Sequence, residues 1–151
     1  ALYEVVLASQ LKAIEAVHPG NSFNDPHQAA VRVLVDGLID VGLLSGDADG
    51  IIESGAYKRY YMHRTGHWLG LDVHDAGEYG SEGKWKSLEP GMVLTVEPGL
   101  YVRAADDIPE PFRNIGIRIE DDVLVTAAGH EVITADAPKT IRDIEALVGH
   151  G

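Results

Sequence analysis

Three histidines fall between positions 63 and 74: His63, His67 and His74. Two histidines four apart on a helix share a face and can hold zinc. Gly66 and Gly70 argue against a helix, and Leu69, Leu71 and Val73 alternate as in a strand. On a regular strand His67 and His74 face opposite ways, so one shared site requires a bend at Gly70. The competing reading is three histidines satisfied by backbone partners. A second feature is Val93-Leu94-Thr95-Val96-Glu97-Pro98-Gly99, where period-two alternation puts Val93, Thr95 and Glu97 on one face. Glu97 then ends a strand before a Pro-Gly turn, either as a functional carboxylate or as an ordinary solvated one. The third is Ile115-Gly116-Ile117-Arg118-Ile119-Glu120-Asp121-Asp122. Ile115, Ile117 and Ile119 form a core face, with Gly116, Arg118 and Glu120 opposite. Arg118 could hold Glu120 ionised and oriented, or the two could form a surface ion pair worth ~0–1 kcal/mol. Asp121 and Asp122 read as turn residues. Together these segments offer one imidazole and two carboxylates, a hard donor set suited to manganese, iron, cobalt or zinc. The glycines do not fall in phosphate-loop spacing, and no nucleophile elbow is present.

The elements that must carry these residues divide the chain by texture. Leu2, Val6, Leu7, Leu11 and Ile14 make a helical stripe over 1–17, stopped by His18-Pro19-Gly20. A second helix starts with Asp25 as N-cap and Pro26 at its first position, and ends near Gly42. A third runs from about Ala48 to Tyr60. Beyond it, short β-prone runs are separated by glycine and proline: 66–73, 92–96, 100–103, 115–119, 123–126 and 131–134. An acidic loop spans 104–111, and 140–148 reads as a short helix. Helices followed by strands in blocks indicate an α+β fold with a mainly antiparallel sheet.

The chain has 151 residues, twelve basic against twenty-four acidic, for a formal charge of -12. That length suits one domain. Phosphate backbones and anionic lipid would be repelled, so neither nucleic acid nor membrane is an expected partner. With no cysteine, disulfides, thiolate zinc sites and a cysteine nucleophile are excluded. No apolar run reaches the ~20 residues needed to span a bilayer, and a cytoplasmic location is expected.

Taken in order, His63-Arg64-Thr65-Gly66-His67-Trp68-Leu69-Gly70-Leu71-Asp72-Val73-His74-Asp75, Thr95-Val96-Glu97-Pro98-Gly99-Leu100-Tyr101 and Gly116-Ile117-Arg118-Ile119-Glu120-Asp121-Asp122 resemble three motifs of one family. This is the pita-bread metallopeptidases, which include methionine aminopeptidase, prolidase, aminopeptidase P and the metal-free creatinase. The resemblance covers essentially the whole chain. Trp68 and the His74-Asp75 pair look most like aminopeptidase P, since prolidases tend to have glycine and glutamate in place of Trp68 and Asp75. The resemblance implies the C-terminal part of a pita-bread fold, with helices packed on a curved, mainly antiparallel sheet. It implies His67, Glu97 and Glu120 as metal ligands, with Glu120 bridging two ions and Glu97 also moving protons. His63 and His74 would line the substrate side, and Arg118 would align Glu120 or a neighbouring ligand. The implied reaction releases the N-terminal residue from peptides with proline in second position, using water activated by divalent metal. Manganese is the first expectation, with zinc, cobalt or iron as alternatives. The complete enzyme would be a homo-oligomer.

One departure bears on activity. The family's site uses five protein ligands, two of them aspartates from an upstream strand pair. No aspartate among Asp25, Asp36, Asp40, Asp47 and Asp49 has the matching surroundings. Residues 1–151 are therefore expected to be the C-terminal portion of the catalytic domain, without the two-aspartate strand pair or the N-terminal domain. The isolated chain would bind one metal weakly or none, and would be weakly active or inactive. The alternatives are an Xaa-Pro dipeptidase (prolidase), a non-catalytic pita-bread binding module, a metal-free hydrolase like creatinase, or an α+β domain with coincidental histidines. The retained histidines, glutamates and Arg118 argue against a pure binding module.

Overall fold

A computed structural model describes residues 1–149. Its first half is helical: α1 (Leu2–Glu15), α2 (Asp25–Asp40) and α3 (Ala48–Ser54). The buried side of α1 is Leu2, Val6, Ser9, Gln10, Ala13 and Ile14. Leu11, assigned above to the apolar stripe, lies instead on the outer side and is 50% exposed. Helices α1 and α2 pack against each other, and Gly37 sets how closely: a Cβ there would lie 2.4 Å from Val5 Cγ1. Asn24 rather than Asp25 precedes α2; the Asp25 carboxylate instead accepts the Ser22 N–H at 2.5 Å. The third helix stops earlier than its pattern indicates. Gly55 takes a left-handed conformation (φ 72°), and a 3-10 turn over Ala56–Arg59 follows. No described helix is long and apolar enough to cross a membrane.

The second half is antiparallel β. A small hairpin, β1 (Gly80–Ser81) with β2 (Lys84–Trp85), is too short to give a pattern in the sequence. Strands β3 (Val93–Val96), β6 (Asp121–Thr126) and β7 (Gly129–Val132) form one sheet in the order β3-β6-β7, and β4 (Gly99–Val102) pairs with β5 (Ile115–Arg118). Strand β7 thus begins two residues before the expected run and ends at Val132. A last helix, α4 (Ile141–Val148), is capped by the Thr140 side chain.

The two larger ladders share one register. Val96 faces Asp121 at the end of the β3–β6 ladder, and Gly99 faces Arg118 at the start of β4–β5. Glu97 therefore stands opposite Glu120, and Pro98 opposite Ile119. Pro98 has no N–H to donate, so the regular ladder lapses there, although Ile119 N–H still reaches the Pro98 carbonyl at 3.3 Å. One apolar cluster gathers helical residues with Leu100, Val102 and Ile119. The other gathers Phe23, Trp68 and Leu88 with Leu94, Val96, Val123 and Val125. The lapse in the ladder lies where strands of the first cluster give way to strands of the second.

The run 66–73 is not a strand as a whole. Residues 65–69 lie along the free edge of β3: Thr95 N–H donates to His67 O, Leu69 N–H to Val93 O, and Glu97 N–H to Thr65 O at 2.6 Å. Beyond Gly70 the backbone bonds to itself, Gly70 N–H to Asp72 O and Asp75 N–H to Trp68 O, and Leu71 and Val73 are exposed. Asp121 and Asp122, read above as turn residues, are the first two residues of β6.

Candidate metal centre

In the shared register, cross-strand partners project from the same face, so Thr95, Glu97, Tyr101, Arg118 and Glu120 all share one side of the β3–β4/β5–β6 ribbon. His67 enters from the edge segment, its N–H fastened to Thr95 Oγ1 at 3.0 Å. A backbone carbonyl only accepts, so His67 Nδ1, 2.9 Å from Trp68 O, carries a proton. Its Nε2 is turned toward Glu97 Oε1 at 3.3 Å. One potential donor atom from each of His67, Glu97 and Glu120 lies within 4.8 Å of the others.

Gly66 permits this arrangement. A Cβ there would fall 1.9 Å from the Thr95 carbonyl oxygen, so no larger residue allows the His67 segment to approach β3 so closely. Glu97 is only 9% exposed, unlike an ordinary solvated strand-end carboxylate. Its Oε1 accepts from the Thr95 hydroxyl at 3.0 Å, and its Oε2 lies 3.4 Å from Arg118 Nη1. The ion-pair partner of Arg118 is thus Glu97 across the ribbon, rather than Glu120 two residues along its own strand. The carboxyl of Glu120 is pushed above its ordinary range, first by partial desolvation and then by the negative charge of Glu97; Arg118 opposes the rise. Two carboxylates crowded beside an inward-facing imidazole nitrogen are a donor set that a divalent cation would fit and whose repulsion it would relieve.

The expected bend at Gly70 is present, and it brings the His74 ring edge-on to His67, with centroids 4.4 Å apart. His63 Nδ1 lies 2.7 Å from Arg64 O, and its Nε2 lies 2.8 Å from the Tyr101 hydroxyl. Arg118 Nε–H in turn donates to the Tyr101 oxygen at 2.9 Å, which raises the arginine's pKa above its ordinary value. Arg118, Tyr101 and His63 thus form one chain of hydrogen bonds along the rim. Tyr101 closes the second motif but was given no role in the sequence reading, yet its signal was available: it follows Glu97 and Gly99 with period two. The aspartates weighed earlier lie elsewhere in part: Asp47 caps α3 through Gly50 N–H, and Asp49 pairs with Arg32.

Comparison with known proteins gives this arrangement its relatives. Residues 1–127 match the model of metallopeptidase family M24. The chain belongs to that family. It is 50% identical over 147 residues to the Xaa-Pro aminopeptidase of Haemophilus influenzae, covering 97% of this chain and 34% of that protein. Among solved structures, the aminopeptidase PepP of Pseudomonas aeruginosa superposes with a TM-score of 0.93 at 53% identity, covering 97% of this chain and 33% of that one. Aminopeptidase P from E. coli, solved with the inhibitor Pro-Leu, superposes with a TM-score of 0.91 at 46% identity and is also covered to 33%. The chain therefore spans about a third of the length of the M24 relatives it matches, and its α+β architecture is that of the pita-bread fold.

Proposed function

We propose that this chain carries the His67–Glu97–Glu120 part of an Xaa-Pro aminopeptidase centre, as the C-terminal portion of a pita-bread catalytic domain. The observation that carries the reading is the convergence of those three side chains on one face of the interrupted ribbon. A divalent ion held by them, manganese first, would lower the pKa of a water and polarise a peptide carbonyl.

The chain's own residues account for the rest. His67 directs Nε2 into the centre because its Nδ1–H is held by Trp68 O, and in the neutral ring Nε2 is the nitrogen able to bind metal. Glu97 is positioned by the Thr95 hydroxyl and Arg118, and is the group suited to take a proton from water and deliver it to the leaving nitrogen. His63 and His74 flank the substrate side and steady the carbonyl oxygen. The peptide has proline in second position, so the leaving nitrogen belongs to a tertiary amide. With three of the expected donors, the chain by itself binds one metal weakly or none and turns over little or no peptide. The complete enzyme is read as a cytoplasmic homo-oligomer.

A segment exchange tests this reading. This chain replaces the matching 147 residues of the Haemophilus influenzae relative. The chimera is expected to release the N-terminal residue from Xaa-Pro peptides, and Glu97→Gln to abolish turnover without unfolding it. A folded chimera that is inactive with manganese, zinc and cobalt alike would contradict the proposal. Cleavage of Xaa-Pro dipeptides but not of longer peptides would make it a prolidase.

A further inference from the structure

We infer that Asp121, held by Gln10, Thr134 and Lys139, is a positioning residue that sets the facing glutamates Glu97 and Glu120, an inference that rests on the metal-centre reading above. Asp121 is 2% exposed and adjoins Glu120 in the chain; its partner across the ladder, Val96, adjoins Glu97. Alternation turns its side chain to the opposite face from the two glutamates, into the interior.

Three directional bonds meet the buried carboxylate. Oδ1 accepts from the Thr134 hydroxyl at 2.7 Å and lies 3.1 Å from Lys139 Nζ. Oδ2 accepts from Gln10 Nε2 at 2.5 Å. The partners come from α1 and from the segment after β7, and Tyr3 in α1 also ties down Lys139 by donating to its carbonyl at 2.8 Å. The arrangement has a cost: Gln10 Oε1 is buried without a hydrogen-bond partner among the described residues.

Packing does not require a charge there. Val123 and Val125 continue the same inward face of β6 and are fully apolar, and an apolar group at 121 would bury at least as well as an ion pair. Apolar contacts, however, fix a strand's position along its axis only loosely, whereas a carboxylate with donors on two sides fixes it closely. Ligands need placement to within about 0.5 Å, and this lock lies one residue from Glu120 and across the ladder from the residue before Glu97.

The test uses Thr134→Val, Lys139→Met and Lys139→Arg in this chain. Amide hydrogen exchange is followed by NMR at Glu97, which donates to Thr65 O, and at Ile119, which donates to Pro98 O. In Thr134→Val and Lys139→Met these two amides are expected to exchange at least tenfold faster relative to Leu34 and Leu38 in α2. Lys139→Arg should restore them. Cobalt(II) titration of the same proteins should show about tenfold weaker binding in the first two variants. Uniform acceleration of all four amides, or unchanged exchange at Glu97 and Ile119, overturns the inference and leaves Asp121 a stabilising residue only. The Thr134 hydroxyl also accepts the Asp122 N–H at 3.0 Å, so if Lys139→Met does not fold, Gln10→Leu, which removes only a bond to Asp121, decides under the same criteria. Two tight cobalt sites on the unsubstituted chain would count against the metal-centre reading; where that chain binds no cobalt, the exchange pattern alone decides the lock.

Discussion

His27 stands behind the centre. Its Nδ1 lies 2.9 Å from Thr65 Oγ1, which is also 2.7 Å from the Tyr61 hydroxyl, and Thr65 O receives the Glu97 N–H. Burial first, then the positive charges of Arg64, His63 and Lys58, push the His27 pKa down to about 4. Between pH 6.5 and 4 the unfolded chain therefore takes up a proton that the folded chain refuses. The stability linked to His27 is complete above pH 6.5 and is lost as pH falls toward 4, by roughly 3 kcal/mol in all. Urea unfolding at pH 7 and pH 5 should show His27→Gln losing about 2 kcal/mol less than the native chain over that interval. Equal losses would remove His27 as the source. At this scale the sequence disclosed His67, Glu97 and Glu120, because imidazoles and carboxylates at strand ends are conspicuous. It did not disclose Thr65, Tyr101 or Asp121, whose roles depend on which strands are neighbours. Asp121 looked like a turn residue because adjacent acidic residues usually are, and it is Gln10, 111 positions away, with Thr134 and Lys139 that makes its burial tolerable.

At the scale of elements, the centre depends on how closely the segment 65–69 lies against β3. Gly66→Ala would place its methyl against the Thr95 carbonyl, backbone that cannot turn aside. It is expected to cost roughly 1–3 kcal/mol in urea unfolding and to weaken metal binding with it. Gly37→Ala meets only Val5 side-chain atoms, so it should lower stability while leaving metal affinity in the folded protein unchanged. Comparing the two by calorimetric metal titration separates loss of site geometry from loss of stability. The helices and most strands were legible from periodicity and from glycine and proline punctuation. The segment 66–73 was not, since alternating Leu69, Leu71 and Val73 mimic a strand whose latter half faces solvent.

For the molecule as a whole, net charge and core pull in different directions. The formal charge of -12 implies self-repulsion, and ion pairs such as Lys12–Glu15 and Arg59–Asp107 are exposed and contribute little. Raising NaCl from about 20 mM to about 200 mM shortens the Debye length to below ~10 Å and should raise the melting temperature; a fall would indicate that attractive pairs outweigh the repulsion. Leu34→Ala, in the fully buried middle of α2, should cost about 2–5 kcal/mol. The shared register across Pro98 also determines where this chain can change in length. Between β4 and β5 lies a connection, 103–114, with one 3-10 turn (Glu110–Phe112) and no ladder pair, so residues gained or lost in its exposed stretches leave every facing pair its partner. A single residue inserted or deleted within 93–101 or 116–126 shifts one strand by one place and turns a glutamate to the opposite face. Natural variants should therefore differ in length in the first region and hold it constant in the other two.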